Sequence, residues 1–298
     1  MLKIKKLGAI DIGSNAIRLL ISNVIVKKNK DEPQFKKADI IRVPIRLGAD
    51  VFVDGKISED NIERMGEAMK AFKLLMGVHG VERYKAMATS AMREASNGTE
   101  VRDLVAEASG VEIDIIDGKK EAEIISFTDL NESIDPEKAY LFVDVGGGST
   151  ELTVINKGEV VASKSFKIGT VRLVNKTVDK QILWPQIELW IKEHTADLKK
   201  IFVIGSGGNI NKIFKMSGKP MGTSLTYAYL KAHYRFLKNM SYEDRILVLG
   251  LNTDRADVIV PATKIYLNAM KWSGAKKIFV PKIGLSDGII KSMYFGKL

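Results

Sequence analysis

The sequence has no cysteine and only three histidines, His79, His194 and His233, among its 298 residues. The absence of cysteine excludes a disulfide-stabilised fold, thiol catalysis, and cysteine-ligated zinc or iron–sulfur sites. No two histidines have the spacing of metal ligands, so a metal site built from histidine is not expected either.

Long apolar runs are also missing. No stretch reaches the roughly 18–20 consecutive apolar residues that a membrane-spanning helix requires. The N-terminal residues show no cleavable signal pattern and lead directly into a strand-like segment. We therefore expect a soluble, cytoplasmic protein with no membrane partner. Helix-turn-helix, zinc-finger and aromatic RNA-binding signatures are absent, so sequence-specific nucleic-acid binding is not expected.

What the sequence does contain is an excess of positive charge: 46 Lys and Arg against 36 Asp and Glu, a formal charge of +10. The excess is uneven, because residues 1–126 hold 21 basic and 20 acidic residues, whereas residues 127–298 hold 25 and 16. Such a charge is suited to a polyanionic partner, although surplus lysine also serves solubility. The length, at ~100–200 residues per domain, predicts two domains.

Apolar strand-like segments alternate with helix-like segments along the chain, which is typical of an α/β fold. One apolar strand ends at Asp11 and is followed by the turn Gly13-Ser14-Asn15. A second such strand ends at Asp144, 133 residues later, and is followed by the turn Gly146-Gly147-Gly148-Ser149. One such unit would be unremarkable, but two copies in one chain predict a duplicated, two-lobed fold.

The hydrophobic pattern predicts the elements around these turns. Strands are expected at Leu7–Ile12, Ala16–Val26, Asp39–Leu47, Tyr84–Ala88, Glu112–Ile116, Tyr140–Val145, Glu151–Ile155, Val160–Phe166, Lys200–Ile204 and Lys277–Val280. Helices are expected after Ser58, at Lys120–Leu130, and after the segment Gly284–Gly288. A boundary near Glu123–Asn131 would give lobes of residues 1–126 and 127–298, with the last helix able to pack back on the first lobe.

Three glycine turns are candidate phosphate-binding segments, because glycine lets the backbone approach a ligand and aim N–H groups at it. The third, Gly205-Ser206-Gly207-Gly208-Asn209, opens a helix whose dipole would add attraction for an anion. A single turn of this kind is more often only a tight turn, but three of them indicate a shared phosphate site. The candidate residues are Gly13, Ser14, Asn15, Gly146, Gly147, Gly148, Ser149, Gly207 and Gly208.

Charged side chains suggest the chemistry. Glu121 opens a predicted helix just after a strand and a turn, so it can orient or deprotonate water, or it can simply complement the helix dipole. Arg93 has the planar fork that holds a phosphate by two hydrogen bonds, or it forms a surface ion pair with Glu94 or Glu100. The alternation of its strand leaves Arg18 facing either the site or solvent.

Three acidic residues are candidate metal ligands. Asp144 and Glu151 lie at opposite ends of the second turn, so both can face one site as ligands of Mg²⁺, directly or through water. Asp11 has the equivalent position before the first turn. Mg²⁺ sites use few carboxylates and several waters, so the shortage of histidine is no obstacle. The expected cofactor is Mg²⁺ or another divalent cation.

The order of these motifs resembles the actin-like phosphotransferase superfamily and, within it, the exopolyphosphatase/guanosine pentaphosphate phosphatase (Ppx/GppA) family. The segments that carry the resemblance are Asp11–Asn15 with Arg18, Ala88–Ala95, Ile115–Ala122, Asp144–Glu151 and Gly284–Gly288. The resemblance implies two actin-like (ribonuclease H-like) lobes with an active-site cleft between them, in a short two-domain form. It further implies Mg²⁺-dependent hydrolysis of the terminal phosphoanhydride of polyphosphate or guanosine pentaphosphate, with Glu121 as the catalytic residue and a homodimer as the assembly.

The chain departs from the family pattern at Lys120, Glu123 and Asn209, where the family often has Glu, Arg and Thr. Two other functions stay open: an actin-like sugar or acyl kinase that uses ATP, and an inactive binder of polyphosphate or an alarmone. No equivalent of the kinases' longer insert and Asp base is found. The intact acidic residues at 121, 144 and 151 count against an inactive binder.

Overall fold

The computed structural model describes residues 2–27, 32–128, 135 and 137–298. The chain forms two compact units: residues 1–128 with 285–298 make the first, and residues 129–284 make the second. The expected boundary segment, Glu123–Asn131, and the predicted helix Lys120–Leu130 both run past residue 128. Their parts beyond that residue lie outside the described ranges.

The sheet of the first unit has five strands in the order β3-β2-β1-β4-β5. Their bounds are β1 Leu2–Ile12, β2 Ile17–Lys27, β3 Gln34–Val43, β4 Arg83–Ala88 and β5 Ile113–Ile115. The first three strands are antiparallel neighbours, whereas β1, β4 and β5 run parallel. The parallel strands therefore end at the same edge of the sheet.

The sheet of the second unit has six strands in the order β10-β11-β9-β6-β7-β8. Their bounds are β6 Ala139–Val145, β7 Thr150–Asn156, β8 Glu159–Phe166, β9 Ile201–Ser206, β10 Ser224–Thr226 and β11 Lys277–Phe279. Strands β8-β7-β6-β9-β11 repeat the order and directions of β3-β2-β1-β4-β5, and β10 adds an antiparallel edge. The duplicated α/β architecture predicted from the two Asp–glycine units is confirmed.

Helices pack on both sheets. In the first unit they span Leu47–Asp54, Glu59–His79, Ser90–Glu94, Gly98–Ser109, Gly118–Ser126 and Leu285–Tyr294. In the second unit they span Thr170–Val174, Lys180–Thr195, Gly208–Met216, Tyr227–Asn239, Tyr242–Leu247, Thr253–Ala256 and Ile259–Ser273. Ser58 begins its helix as predicted, by accepting a hydrogen bond from the N–H of Asn61. None of these described helices is long and apolar enough to cross a membrane.

The strand predicted over Asp39–Leu47 is wrong at both ends. The observed strand β3 starts earlier, at Gln34, and stops at Val43. Pro44 follows, and it has no N–H to donate to a neighbouring strand. Arg46 then adopts a left-handed backbone conformation with φ of 62°, and Leu47 begins a helix instead of ending the strand.

The last helix also starts earlier than predicted, at Leu285, so that Gly288 lies inside it. This helix packs against the helix Gly118–Ser126 in the first unit. A Cβ at Gly288 would lie only 2.2 Å from the carbonyl oxygen of Ile124. Glycine is therefore required here for the close approach of two helices, and not for a turn before the helix.

Candidate active site

The predicted site residues of the first unit lie where its three parallel strands end. Asp11 is the penultimate residue of β1, Arg93 lies in the short helix after β4, and Glu121 lies in the helix after β5. Ligands of open α/β folds bind at the carboxyl ends of the strands. The first unit thus brings residues from three separate parts of the sequence to one edge of its sheet.

Hydrogen bonds within the first unit hold the first glycine turn. The N–H of Gly13 donates to the carbonyl of Ala16 at 3.2 Å, and the N–H of Gly48 donates to the carbonyl of Ser14 at 2.8 Å. The hydroxyl oxygens of Ser14 and Ser90 are 2.9 Å apart, and both residues are buried. This pair joins the first turn to the segment that follows β4.

Asp11 forms an ion pair inside the first unit. It lies directly opposite Arg18 in the β1–β2 pair, and Arg18 Nη1 donates to Asp11 Oδ2 at 3.1 Å. Burial raises the pKa of the Asp11 carboxyl above its usual value, while the neighbouring guanidinium acts in the opposite direction. Arg18, for which the sequence left two orientations open, therefore contacts the candidate ligand Asp11.

Glu121 and Arg93 are brought together at the ends of β4 and β5. Glu121 lies in the first turn of its helix, which Asp117 caps by accepting from the N–H of Lys120 at 2.7 Å. Arg93 Nη1 lies 3.9 Å from Glu121 Oε2 and donates to the carbonyl of Ile116 at 2.6 Å. Glu121 is only 9% exposed, so solvent screens this pair less than it screens surface charges. The structure thus places the candidate base beside the candidate phosphate-binding arginine.

The second glycine turn is held by the helix that follows β8. The N–H of Thr170 donates to the carbonyl of Gly146 at 3.0 Å. The buried Arg172 donates from Nε to the carbonyl of Gly148 at 2.8 Å. Gly48 makes the corresponding contact to the first turn, after β3. In both units, therefore, turn carbonyls face the helix that follows the third strand.

Asp144 and Glu151 form the counterpart of the Asp11–Arg18 pair. They lie directly opposite each other in the antiparallel β6–β7 pair, so their side chains share one face of the sheet. Glu151 Oε1 also accepts a hydrogen bond from the hydroxyl of Ser165 at 2.8 Å. At the register position where Arg18 lies opposite Asp11 in the first unit, Glu151 lies opposite Asp144 in the second.

The carboxylates of Asp144 and Glu151 suit Mg²⁺, which keeps several of its waters, better than a metal that is coordinated by protein atoms alone. Within residues 2–27, 32–128, 135 and 137–298, no three His, Asp or Glu side chains cluster as a ready metal cage. Mg²⁺ commonly uses one or two carboxylates together with waters and substrate phosphates. The Asp144–Glu151 pair meets that smaller requirement.

In the third predicted turn, Gly205 and Ser206 still belong to strand β9, and Gly207 follows with a φ of 114°, in the region that favours glycine. A Cβ here would lie 2.9 Å from Val145 O, 3.2 Å from the Tyr266 hydroxyl oxygen and 3.6 Å from Asp144 Oδ1. The Tyr266 hydroxyl donates to the carbonyl of Ser206. Burial and the nearby Asp144 charge raise the pKa of Tyr266 well above its usual value.

Sequence reasoning missed several residues that hold these turns, among them Gly48, Arg172 and Tyr266. Only Gly48 had a usable signal, because a glycine follows the third strand in both copies of the repeat, at 48 and at 169. The other two act through contacts between distant segments, which no local pattern reveals.

Two sheets of the same strand order, each with a glycine turn after its first strand, define an actin-like α/β fold. The chain belongs to the Ppx/GppA phosphatase family, whose model matches residues 24–295. The resemblance seen in the sequence motifs is therefore confirmed.

Individual relatives agree with this assignment. The bifunctional 3-dehydroquinate synthase/phosphatase of Fusobacterium nucleatum is 30% identical over 299 residues, covering 92% of this chain and 44% of that protein. Exopolyphosphatase 2 of Mycobacterium tuberculosis is 34% identical over 178 residues, covering 57% of this chain and 54% of that protein. The chain thus spans about half the length of these curated relatives. The crystal structure of the Aquifex aeolicus Ppx/GppA family member matches with a TM-score of 0.75 and 26% identity, over 99% of both chains.

Proposed function

We propose that the protein hydrolyses the terminal phosphoanhydride bond of inorganic polyphosphate, of guanosine pentaphosphate, or of both. The observation that carries the proposal is the 3.9 Å approach of Arg93 Nη1 to Glu121 Oε2. It puts a side chain able to bind phosphate beside a carboxylate able to activate water, and hydrolysis of a phosphoanhydride needs both. Membership of the Ppx/GppA phosphatase family supports the same reaction.

Glu121 is the proposed general base. Its carboxylate takes a proton from a water molecule whose oxygen attacks the terminal phosphorus. The bond between that phosphorus and the bridging oxygen breaks, and the bridging oxygen leaves with the electron pair as part of the shortened substrate. The terminal group is released as orthophosphate. Phosphoryl transfer depends mainly on positioning and charge neutralisation, which is why a mostly buried, well-held carboxylate suits this role.

Arg93 and the glycine turns are proposed to hold the phosphates. The Ile116 carbonyl accepts from Arg93 Nη1, which fixes the guanidinium near Glu121. The N–H groups of Gly13 and Gly146 donate within the turns, to the carbonyls of Ala16 and Ser149, so these two glycines are proposed to shape the turns. The turn residues whose backbone N–H groups are proposed to face the anion are Ser14, Asn15, Gly147, Gly148, Ser149, Gly207 and Gly208.

Asp144 and Glu151 are the residues we propose to hold Mg²⁺ or another divalent cation. Their carboxylates lie at paired positions on one face of β6 and β7, where one cation could contact both. When bound, Mg²⁺ would neutralise charge on the phosphate oxygens. Asp11 stays a predicted ligand, although its ion pair with Arg18 already balances its charge.

The positive charge of residues 127–298 favours polyphosphate over a single nucleotide as the substrate. We propose that a polyanionic tail contacts lysines of this region. Lys164, Lys167, Lys212 and Lys215 are the candidates. Burial lowers the pKa of the Lys212 ammonium group, and the nearby positive charges of Lys215 and Arg255 lower it further. Several cationic side chains therefore lie close together around Lys212.

A substrate panel tests the reaction. Orthophosphate release is measured with Mg²⁺ from long polyphosphate, short polyphosphate, guanosine pentaphosphate and ATP. We expect release from polyphosphate or guanosine pentaphosphate. Phosphate transfer from ATP to a sugar or acyl acceptor, or tight binding with no release, would overturn the proposal. The homodimer stays a prediction, which sedimentation analysis would test.

The role of Glu121 is tested by Glu121→Gln, which keeps the size of the side chain and removes its charge. Loss of a general base should lower kcat by ~10²–10⁴-fold while polyphosphate still binds. Glu123→Gln on the same helix is the matched control, because Glu123 pairs with Lys120 at 3.2 Å on the surface and contributes little. Unchanged turnover in Glu121→Gln would remove Glu121 from the mechanism.

A further inference from the structure

Tyr266 is a buried residue that contacts the third glycine turn, although no sequence motif includes it. It lies in the middle of the helix Ile259–Ser273, and its side chain is 0% exposed. Phenylalanine could fill nearly the same space, so packing alone does not require the hydroxyl. The hydroxyl donates to the Ser206 carbonyl, at the end of strand β9.

This hydrogen bond adds to the β6–β9 pairing of Ser206 in orienting one peptide group. The peptide between Ser206 and Gly207 is planar and trans, so its N–H points away from the side on which its carbonyl lies. Because Tyr266 holds the carbonyl towards the buried helix, the N–H of Gly207 is directed away from that helix. Ser206 is further held by its own hydroxyl, which donates to the carbonyl of Ile283 at 3.0 Å.

The same residue lies near the candidate cation ligand. Ser206 is the register partner of Asp144 in the parallel β6–β9 pair. The Tyr266 hydroxyl oxygen and Asp144 Oδ1 lie within 3.2 and 3.6 Å of the point that a Cβ of Gly207 would occupy. The Tyr266 hydroxyl and the proposed metal ligand Asp144 therefore both border Gly207 in the proposed phosphate-binding turn.

We propose that Tyr266 is a positioning residue, which holds the Ser206–Gly207 peptide so that the Gly207 N–H faces a bound phosphate beside Asp144. The expected loss of kcat rests on the proposed function, whereas the expected change in amide hydrogen exchange does not. Tyr266 takes no part in bond making or breaking.

Tyr266→Phe removes only the hydroxyl and keeps the buried ring. Thr263→Val is the matched control, because Thr263 lies in the same helix, is 0% exposed, and donates to the carbonyl of Ile259 at 2.6 Å, within its own helix. Both variants lose one buried hydroxyl, but only Tyr266→Phe removes a hydrogen bond to the third turn. Amide hydrogen exchange over residues 205–209 and steady-state orthophosphate release are measured for both variants.

We expect exchange over residues 205–209 to be about tenfold faster in Tyr266→Phe, with kcat reduced about tenfold and KM within twofold. Thr263→Val should match the wild type in all three measurements. Faster exchange with an unchanged kcat would reduce Tyr266 to a structural residue and overturn the proposal. Unchanged exchange would overturn the proposal as well, whether or not the wild type releases phosphate. Absence of phosphate release from the wild type would separately refute the proposed function.

Discussion

Replacing Gly288 with alanine tests how tightly the last helix must pack against the helix that carries Glu121. The new Cβ would lie 2.2 Å from the Ile124 carbonyl oxygen and 2.8 Å from Ile124 Cγ2. Ordinary contacts of a Cβ are longer than 3.4 Å, so one helix would have to move by about 1 Å. Because Ile124 and Glu121 share one helix, the movement would also disturb the candidate base.

Two opposing effects determine how much Gly288→Ala changes the free energy of unfolding. Overpacking a buried contact typically costs ~1–3 kcal/mol. Alanine in place of glycine within a helix recovers ~0.5–1 kcal/mol of conformational entropy and propensity. We therefore expect Gly288→Ala to lower the free energy of unfolding by ~1–2 kcal/mol, which corresponds to a Tm lower by ~2–8 °C.

The matched control is Gly77→Ala, in the helix Glu59–His79 of the same unit. Gly77 is exposed, and no atom lies within 4 Å of the position of its Cβ. The substitution should therefore stabilise the protein by ~0.5–1 kcal/mol. Thermal unfolding and orthophosphate release are measured for both variants. If Gly288→Ala were as stable and as active as Gly77→Ala, the close packing inferred at Ile124 would be refuted.

Three further predictions concern charge. Arg93→Ala should lower kcat/KM by ~10–150-fold, because a charged hydrogen bond to phosphate contributes ~1.5–3 kcal/mol; a change within twofold would remove Arg93 from phosphate binding and leave it only its contacts to Glu121 and the Ile116 carbonyl. Burial lowers the pKa of His233 below 6.5, and its ring stacks on Tyr229. The unfolded chain then binds the proton more readily than the folded protein, so stability should fall as pH drops below 6.5. His233→Phe should flatten the dependence of Tm on pH in this range, and an unchanged slope would contradict the assignment. Phosphate release from long polyphosphate should decrease with added salt more steeply than release from short chains, since more lysine contacts are lost; equal slopes would count against a basic binding surface.

The sequence determined the architecture because its signals are local and repeated. An apolar strand, an aspartate and a glycine turn occur twice, at Asp11 and at Asp144, and the two units have the same strand order. Turn chemistry and alternation act over a few residues, so they can be detected without a structure. The helix start at Ser58 was predictable for the same reason, because its cap bonds lie within three residues.

Other features were decided only by the tertiary structure. The sequence presented Asp11 and Asp144 as equivalent, but strand register pairs Asp11 with Arg18 and Asp144 with Glu151. The approach of Arg93 to Glu121 likewise depends on two parallel strands ending at one edge of the sheet.

Tyr266 is the clearest case of a residue whose role depends on the tertiary structure. In the sequence it is one residue of an apolar segment, and its hydroxyl acquires a role only because the helix Ile259–Ser273 packs against β9. The residue types and their turns were thus determined locally. Contacts between segments far apart in the chain determined the rest: Asp11 pairs with an arginine, Asp144 lies opposite a second carboxylate, and the Ser206 carbonyl accepts from a buried phenol.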